Sequence, residues 1–229
     1  MLRTFFSPAF HTLYRSLVDV LYPALCFSCD TRLSQTDLFI CPVCRLQIEA
    51  FKGELDKALE GRSFDQLFIL YEYGPVIRKL IHLLKYQHYI GLCRMFAREV
   101  RDRFPCIKEN NYTGIVPVPL HKLRKRERGY NQSEEIARAV AAIFGLRLKS
   151  EQLLRLRNTS SQTKKSIQQR EENMKNAFAC ATALYSEKIL LIDDVVTTGS
   201  TIESCIRSLK TAGAVRVDVL AIAHPPKTI

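Results

Sequence analysis

Four apolar residues in a row, Ile189-Leu-Leu-Ile192, followed by two aspartates, form the most regular element of the chain. An apolar run without alternation predicts a parallel strand buried on both faces. Thr197 to Thr201 then make a hydroxyl-rich loop around Gly199, and Ile202, Ile206 and Leu209 recur at helical spacing up to Gly213, the expected cap. Upstream, Leu67 to Tyr71 reads as a strand. Gly74-Pro75 opens a helix with Ile77, Leu80, Ile81 and Leu84 on one face; Lys85 and Tyr86 at its end are within reach of a ligand, although a snorkelling lysine beside a core aromatic is the favoured reading. Leu92, Met95, Phe96 and Val100 mark a second helix, ending before Pro105. Ile115-Val-Pro-Val118 predicts a short strand at an edge or strand start, because proline cannot donate to a ladder. Ser133 with Glu134 and Glu135 starts a helix that Gly145 closes, and Val215 to Ile222 supplies a last apolar strand. Strands alternating with helices predict an α/β fold, a mostly parallel sheet flanked by helices.

The stretch after Ile192 carries chemistry. Acids at the carboxyl end of a buried strand stand where open α/β sheets place ligands. A loop entering a helix offers unpaired N–H groups and the positive end of the dipole, which suits a phosphate. Gly199 lets the backbone approach closely, and the hydroxyls of Thr197, Thr198, Ser200 and Thr201 add donors. Asp193 and Asp194 accept only, so they suit sugar hydroxyls or the hydration shell of magnesium. The loop has no Gly-Lys pair and no Gly-x-Gly-x-x-Gly, which sets aside the common nucleotide loops.

Charge changes the picture next. The 229 residues carry a formal net charge of +11, so anionic partners are favoured: nucleotides, nucleic acid or an acidic surface. Much of that charge lies between the Ile115 strand and the Ser133 helix, in His121-Lys-Leu-Arg-Lys-Arg-Glu-Arg-Gly-Tyr-Asn-Gln132. A basic loop placed so is a second anion site by the same logic, although a charge run taken alone is more often solvated surface. Leu154 to Phe178 holds Arg155, Arg157, Gln162, Lys164, Lys165, Arg170 and Asn173 with few apolar anchors. A plain surface loop and a mobile flap that covers a bound anion, through Gln162 and Arg170, are equally compatible with it.

Cys26-Phe-Ser-Cys29 and Cys41-Pro-Val-Cys44 are two Cys-x-x-Cys turns close in sequence. Four thiolates so arranged give the tetrahedral cage of structural zinc, and a closed four-sulfur site leaves no position for catalysis. Cys93, Cys106, Cys180 and Cys205 are scattered and read as small apolar residues. Before the first turn, Phe10, Leu13, Tyr14, Leu17 and Leu21 line an amphipathic helix interrupted by His11, Arg15 and Asp19, too polar to span a membrane. No secretory cleavage pattern follows, so the chain reads as cytoplasmic. The polar stretch Lys52 to Arg62 is the expected boundary between an N-terminal helix and zinc module over 1–50 and a main domain over 51–229.

The strand, acid pair and Thr-Thr-Gly-Ser-Thr loop resemble the type I phosphoribosyltransferases, whose loop holds the 5′-phosphate of phosphoribosyl pyrophosphate. Thr197 replaces the aspartate that purine-salvage members use as a base. The two cysteine turns, Pro117-Val-Pro-Leu120, Arg128-Gly-Tyr-Asn-Gln132, the Gln162/Arg170/Asn173 segment and the phosphate loop together resemble the ComF family of competence-associated, amidophosphoribosyltransferase-like proteins. Tyr130 stands where phenylalanine is common there. The resemblance implies a type I phosphoribosyltransferase fold with a small zinc-ribbon-like module. It implies that phosphoribosyl pyrophosphate binds with magnesium, Asp193 and Asp194 at ribose and metal, Thr197 to Thr201 at the 5′-phosphate, and Arg124 and Arg128 at the pyrophosphate. It implies a role in natural transformation or DNA utilisation, with DNA-uptake proteins as partners and an acceptor the residues do not identify. A different reading is a non-catalytic module that reuses the phosphate sites for single-stranded DNA, with Tyr130 as a stacking platform.

Overall fold

The computed structural model describes residues 21, 23–34, 37–53, 59, 61–156 and 177–225. The chain splits into two compact units, Met1–Ile48 and Glu49–Ile229. Gln162 and Arg170 of the flap segment, and the amphipathic stretch before Leu21, lie outside the described residues.

In the first unit, Leu25 and Arg32 form an antiparallel bridge around the first cysteine turn. The second turn runs into α1 (Pro42–Leu46), a short helix with Cys41 at its N-cap and proline in its first turn.

The second unit is built on β1 (Leu67–Glu72), β2 (Gly114–Pro117), β5 (Glu187–Val195) and β6 (Ala214–His224), which form one sheet in the order β1-β6-β5-β2. Every pairing is parallel. Ile189 to Ile192 pair with β2 on one side and β6 on the other, and all four side chains are fully buried. Burial of each contributes about 1.5–3 kcal/mol, which is why this segment shows no polar alternation. The proline-bearing β2 is an edge strand of this sheet, as its composition predicts.

Helices cover both faces. α7 (Ser200–Thr211) and the antiparallel pair β3 (Leu153–Arg155) and β4 (Phe178–Cys180) enclose one core with Ile189, Leu191, Val217 and Val219. The remaining described helices of this unit are α2 (Pro75–Tyr86), α3 (Gly91–Arg103), α4 (Cys106–Glu109), α5 (Lys122–Arg128) and α6 (Gln132–Phe144). α6 packs across β2 and β5 and against α3. The start of α6 differs from the sequence expectation: Asn131, not Ser133, is the N-cap, and its side chain accepts from Ser133 N at 3.2 Å. The basic stretch expected as a loop also differs, because residues 122–128 wind into a helix without a single buried side chain. His121 caps it, its Nδ1 accepting from Leu123 N at 3.3 Å. Gly213 joins α7 to β6 at φ +109°, where a Cβ would lie 1.9 Å from the Leu184 carbonyl oxygen.

Candidate functional site

The strand–loop–helix segment from β5 to α7 has the geometry its sequence suggests. Asp193 and Asp194 are the antepenultimate and penultimate residues of β5, Asp193 and residues 195–202 line one pocket, and Gly199 is the N-cap of α7 at φ +71°. With no side chain at the cap, Gly199 makes no side-chain cap bond to the first turn of α7. The Thr198 and Ser200 hydroxyls lie 3.2 Å apart across the glycine. That places paired donors beside the positive end of a helix, an arrangement suited to an oxyanion.

Leu59 and Arg62, from the stretch expected only as a domain boundary, and Ser63 just after it, contact this loop and its helix. Leu59 is buried so tightly against Gly199 that a Cβ there would sit 2.4 Å from Leu59 Cδ2. Arg62 donates to the Thr198 carbonyl at 3.0 Å. Ser63 gives both its N–H, at 2.9 Å, and its hydroxyl, at 2.7 Å, to Glu203 in the first turn of α7. No motif in 59–63 foretells this, since the contacts join residues far apart in sequence.

Both aspartates are buried, at 9% and 4% exposure, and each is held by named partners. Asp193 Oδ1 accepts from Ser133 Oγ at 3.0 Å and from Asp194 N at 2.9 Å. Asp194 accepts from Gln132 Nε2 at 3.2 Å and forms an ion pair with Lys85. Burial, then the neighbouring Asp194 charge, pushes the Asp193 carboxyl up to about 8, against the opposing pull of Lys85 and the hydrogen bonds. Burial pushes the Lys85 ammonium down, but Asp194 and then Asp193 more than offset it and hold it above its ordinary value. Lys85 is therefore no snorkelling surface lysine: α2 delivers it to the acid pair from its last turn. Nothing local in the sequence marks this role, because Asp194 lies more than a hundred residues later.

The basic helix α5 connects to the same acids. Arg128 donates to Gln132 Oε1 at 3.0 Å and to the Tyr86 hydroxyl at 3.2 Å, and its guanidinium carbon lies 4.9 Å from the Tyr86 ring centroid. Gln132 in turn donates to Asp194. Arg128 thus joins the acid pair through one side chain, the break at Gly129 between α5 and α6 bringing Arg128 and Gln132 together. Arg124 lies close enough to Arg155 that the two charges interact, so β3 adds a cation to the same region. Tyr130 does not stand out as a stacking platform. Its ring packs on His88 at 5.0 Å and its hydroxyl is buried without a hydrogen-bond partner among the described residues. An exposed aromatic beside Arg128 is Tyr86, at 57% exposure, which also packs near His82 at 4.7 Å.

In the first unit, the sulfur atoms of Cys26, Cys29, Cys41 and Cys44 all lie within 4.8 Å of one another. Cys29 Sγ and Cys41 Sγ are 3.6 Å apart, close to the roughly 3.8 Å edge of a tetrahedron with 2.3 Å metal–sulfur bonds. Cys26 Sγ accepts from Ser28 N at 3.5 Å and Cys41 N at 3.3 Å, and Cys41 Sγ accepts from Cys44 N at 3.5 Å. Backbone donors aimed at sulfur stabilise thiolate over thiol. The Thr31 hydroxyl, followed by the Thr31 backbone, lowers Cys29 to about 6, whereas burial pushes Cys44 up to about 12. A sulfur cage with these donors fits a thiolate-bound divalent metal.

Comparison with known proteins agrees with this geometry. The phosphoribosyl transferase domain family matches residues 93–228. The chain is 29% identical over 207 residues to the DNA utilization protein YhgH of Escherichia coli K12, covering 87% of this chain and 90% of that protein. It is 27% identical over 208 residues to competence protein F of Haemophilus influenzae, with the same two coverages. To competence protein ComFC of Bacillus subtilis it is 26% identical over 198 residues, covering 82% of this chain and 79% of that one. The chain belongs to the phosphoribosyl transferase domain family, among relatives named as competence and DNA-utilisation proteins.

Proposed function

We propose that this protein binds phosphoribosyl pyrophosphate with magnesium and acts as a phosphoribosyltransferase. The observation that carries the reading is the buried Asp193–Asp194 pair at the end of β5, directly before a glycine-capped hydroxyl loop. Thr197, Thr198, Gly199, Ser200 and Thr201 bind the 5′-phosphate through backbone amides and hydroxyls. Asp193 and Asp194 take the ribose hydroxyls and the hydrated metal. Arg124 and Arg128 face the pyrophosphate. With Asp193 protonated, Lys85 balances Asp194; once Asp193 ionises, two buried carboxylates against one ammonium leave a net negative site, which fits a divalent cation arriving with its ligand. Magnesium, when bound, offsets charge on the departing pyrophosphate. The protein's own part is to fix the phosphate end and the acid pair on rigid elements, so that positive charge developing at the anomeric carbon meets carboxylates and the leaving diphosphate meets cations. The four cysteines hold a structural zinc ion.

The names of its relatives suggest that this chemistry serves DNA utilisation or natural transformation. A second reading, single-stranded DNA on the same cationic surface, is favoured by Tyr86, whose exposed ring stands beside Arg128. Calorimetry with phosphoribosyl pyrophosphate in the presence and absence of magnesium tests the first reading. Magnesium-dependent binding that Asp193→Asn/Asp194→Asn weakens by about 1.5–3 kcal/mol for each charge-assisted hydrogen bond removed is the expected result. Unchanged affinity in the double variant removes the acid pair from the site.

A further inference from the structure

We propose that Lys85 is a ligand-binding residue of this site, which holds the cation position on Asp194 while the site is empty and moves to the ligand's diphosphate when a metal ion arrives. The inference rests on the phosphoribosyl pyrophosphate reading above. Its starting observation is the ion pair itself: Lys85 meets Asp194 Oδ2, on the opposite carboxylate oxygen from the Gln132 bond. An ammonium there stands where a cation bound to the acid pair has to stand, and the two cannot share the position.

The surroundings give Lys85 somewhere to go. It is the penultimate residue of α2, on a flexible four-carbon stem, with 22% of its side chain exposed. The next residue, Tyr86, accepts from Arg128, and Arg128 donates to Gln132, which donates to Asp194. Lys85 therefore closes a ring that joins the acid pair to the anion-binding helix α5. A diphosphate reaching Arg128 arrives within the same ring. A metal-bearing ligand supplies both a replacement cation for Asp194 and a new anion for Lys85, so one exchange leaves every charge paired. Metal without diphosphate supplies only the first, and has to displace the lysine uncompensated. The arrangement thus favours the metal–diphosphate complex over free metal.

Lys85→Met separates these roles. Mn2+ binding to the ligand-free protein, followed by electron paramagnetic resonance, is expected to tighten at least tenfold, because the competing ammonium is gone. Affinity for inorganic pyrophosphate with magnesium is expected to fall at least tenfold, while ribose 5-phosphate, which lacks the diphosphate, changes less than twofold. Equal losses for both phosphate ligands mean a merely structural role and overturn the proposal, as does Mn2+ affinity that does not rise. Should Lys85→Met fail to fold, Lys85→Gln, which keeps a donor for Asp194 without the charge, carries the same comparison. If the unaltered protein binds neither phosphoribosyl pyrophosphate nor pyrophosphate, the proposed function falls, and the Mn2+ measurement alone decides the place of Lys85.

Discussion

Ser63 grips Glu203 with two hydrogen bonds, backbone N–H at 2.9 Å and hydroxyl at 2.7 Å, and so ties the chain before β1 to the first turn of α7. Burial raises the Glu203 carboxyl, yet the Ser63 bonds and then Arg62 and Arg207 outweigh it and leave it lowered. Ser63→Ala is expected to cost only about 1 kcal/mol of stability, since the pair is largely solvated. Its effect should also reach the phosphate loop. Ribose 5-phosphate affinity in Ser63→Ala should drop severalfold, and unchanged affinity would show that the strap does not shape the loop.

Asp193 sets a pH dependence. Its folded-state value of about 8 lies far above the ordinary carboxylate range, so the folded protein holds a proton that the unfolded chain has lost. The stabilising contribution is complete below about pH 4 and is lost as pH rises through about 8. Asp194 and Lys85 face the group directly, with Arg155 contributing charge from β3, while the buried Cys205 thiol of α7 stays neutral. Mn2+ binding needs the ionised pair, so its affinity should rise by up to about tenfold per pH unit between pH 6 and 8. In Asp193→Asn the profile should be flat over that range.

Tyr130→Phe should stabilise the protein or leave it unchanged. The Tyr130 hydroxyl is buried without a partner among the described residues, and burial pushes it up to about 12. Removing an unsatisfied buried hydroxyl relieves a penalty of about 1–3 kcal/mol, whereas the ring contact with His88 stays. A clear fall in melting temperature would mean that the hydroxyl has a partner in solution.

For the cysteine cluster, elemental analysis is expected to give about one zinc per chain. Cobalt substitution should show thiolate-to-metal absorption, and Cys41→Ser should remove it. Native protein free of metal would end the assignment.

Tyr86 and Tyr130 divide the DNA question. If single strands bind on this surface, Tyr86→Ala should weaken them by about 1–3 kcal/mol and Tyr130→Phe should not. Replacing Arg124 and Arg128 should lower the salt slope by about 0.7 for each phosphate-binding charge removed. Phosphoribosyl pyrophosphate should displace the strand at least partly. Simultaneous, independent binding would place DNA elsewhere.

Local patterns make much of this protein legible. The buried strand, the glycine-capped loop and the paired cysteine turns are short-range features, and each lies within one stretch of sequence. What escapes such patterns is long-range. Lys85 is indistinguishable from a surface lysine at a helix end unless α2 is known to lie beside β5. Leu59, Arg62 and Ser63 look like linker because their partners, Gly199, Thr198 and Glu203, come more than a hundred residues later. Tyr130 carries an aromatic signal inside a basic run, but sequence does not tell which of two nearby tyrosines turns outward. The helix α5 is hidden by its lack of any apolar face.

The strand order bears on how the protein is made. β6, the last described strand in the chain, lies between β1 and β5. During synthesis β1 therefore has no neighbour in the sheet until the segment around Val219 leaves the ribosome, on the order of ten seconds later. Once β5 has emerged, the Ile189–Ile192 run offers an unpaired apolar edge until β6 follows, and the non-local pairing of β6 with β1 is the slow kind. Newborn chains should consequently depend on shielding by chaperones, and any stop before β6 should yield aggregate rather than a partly folded domain.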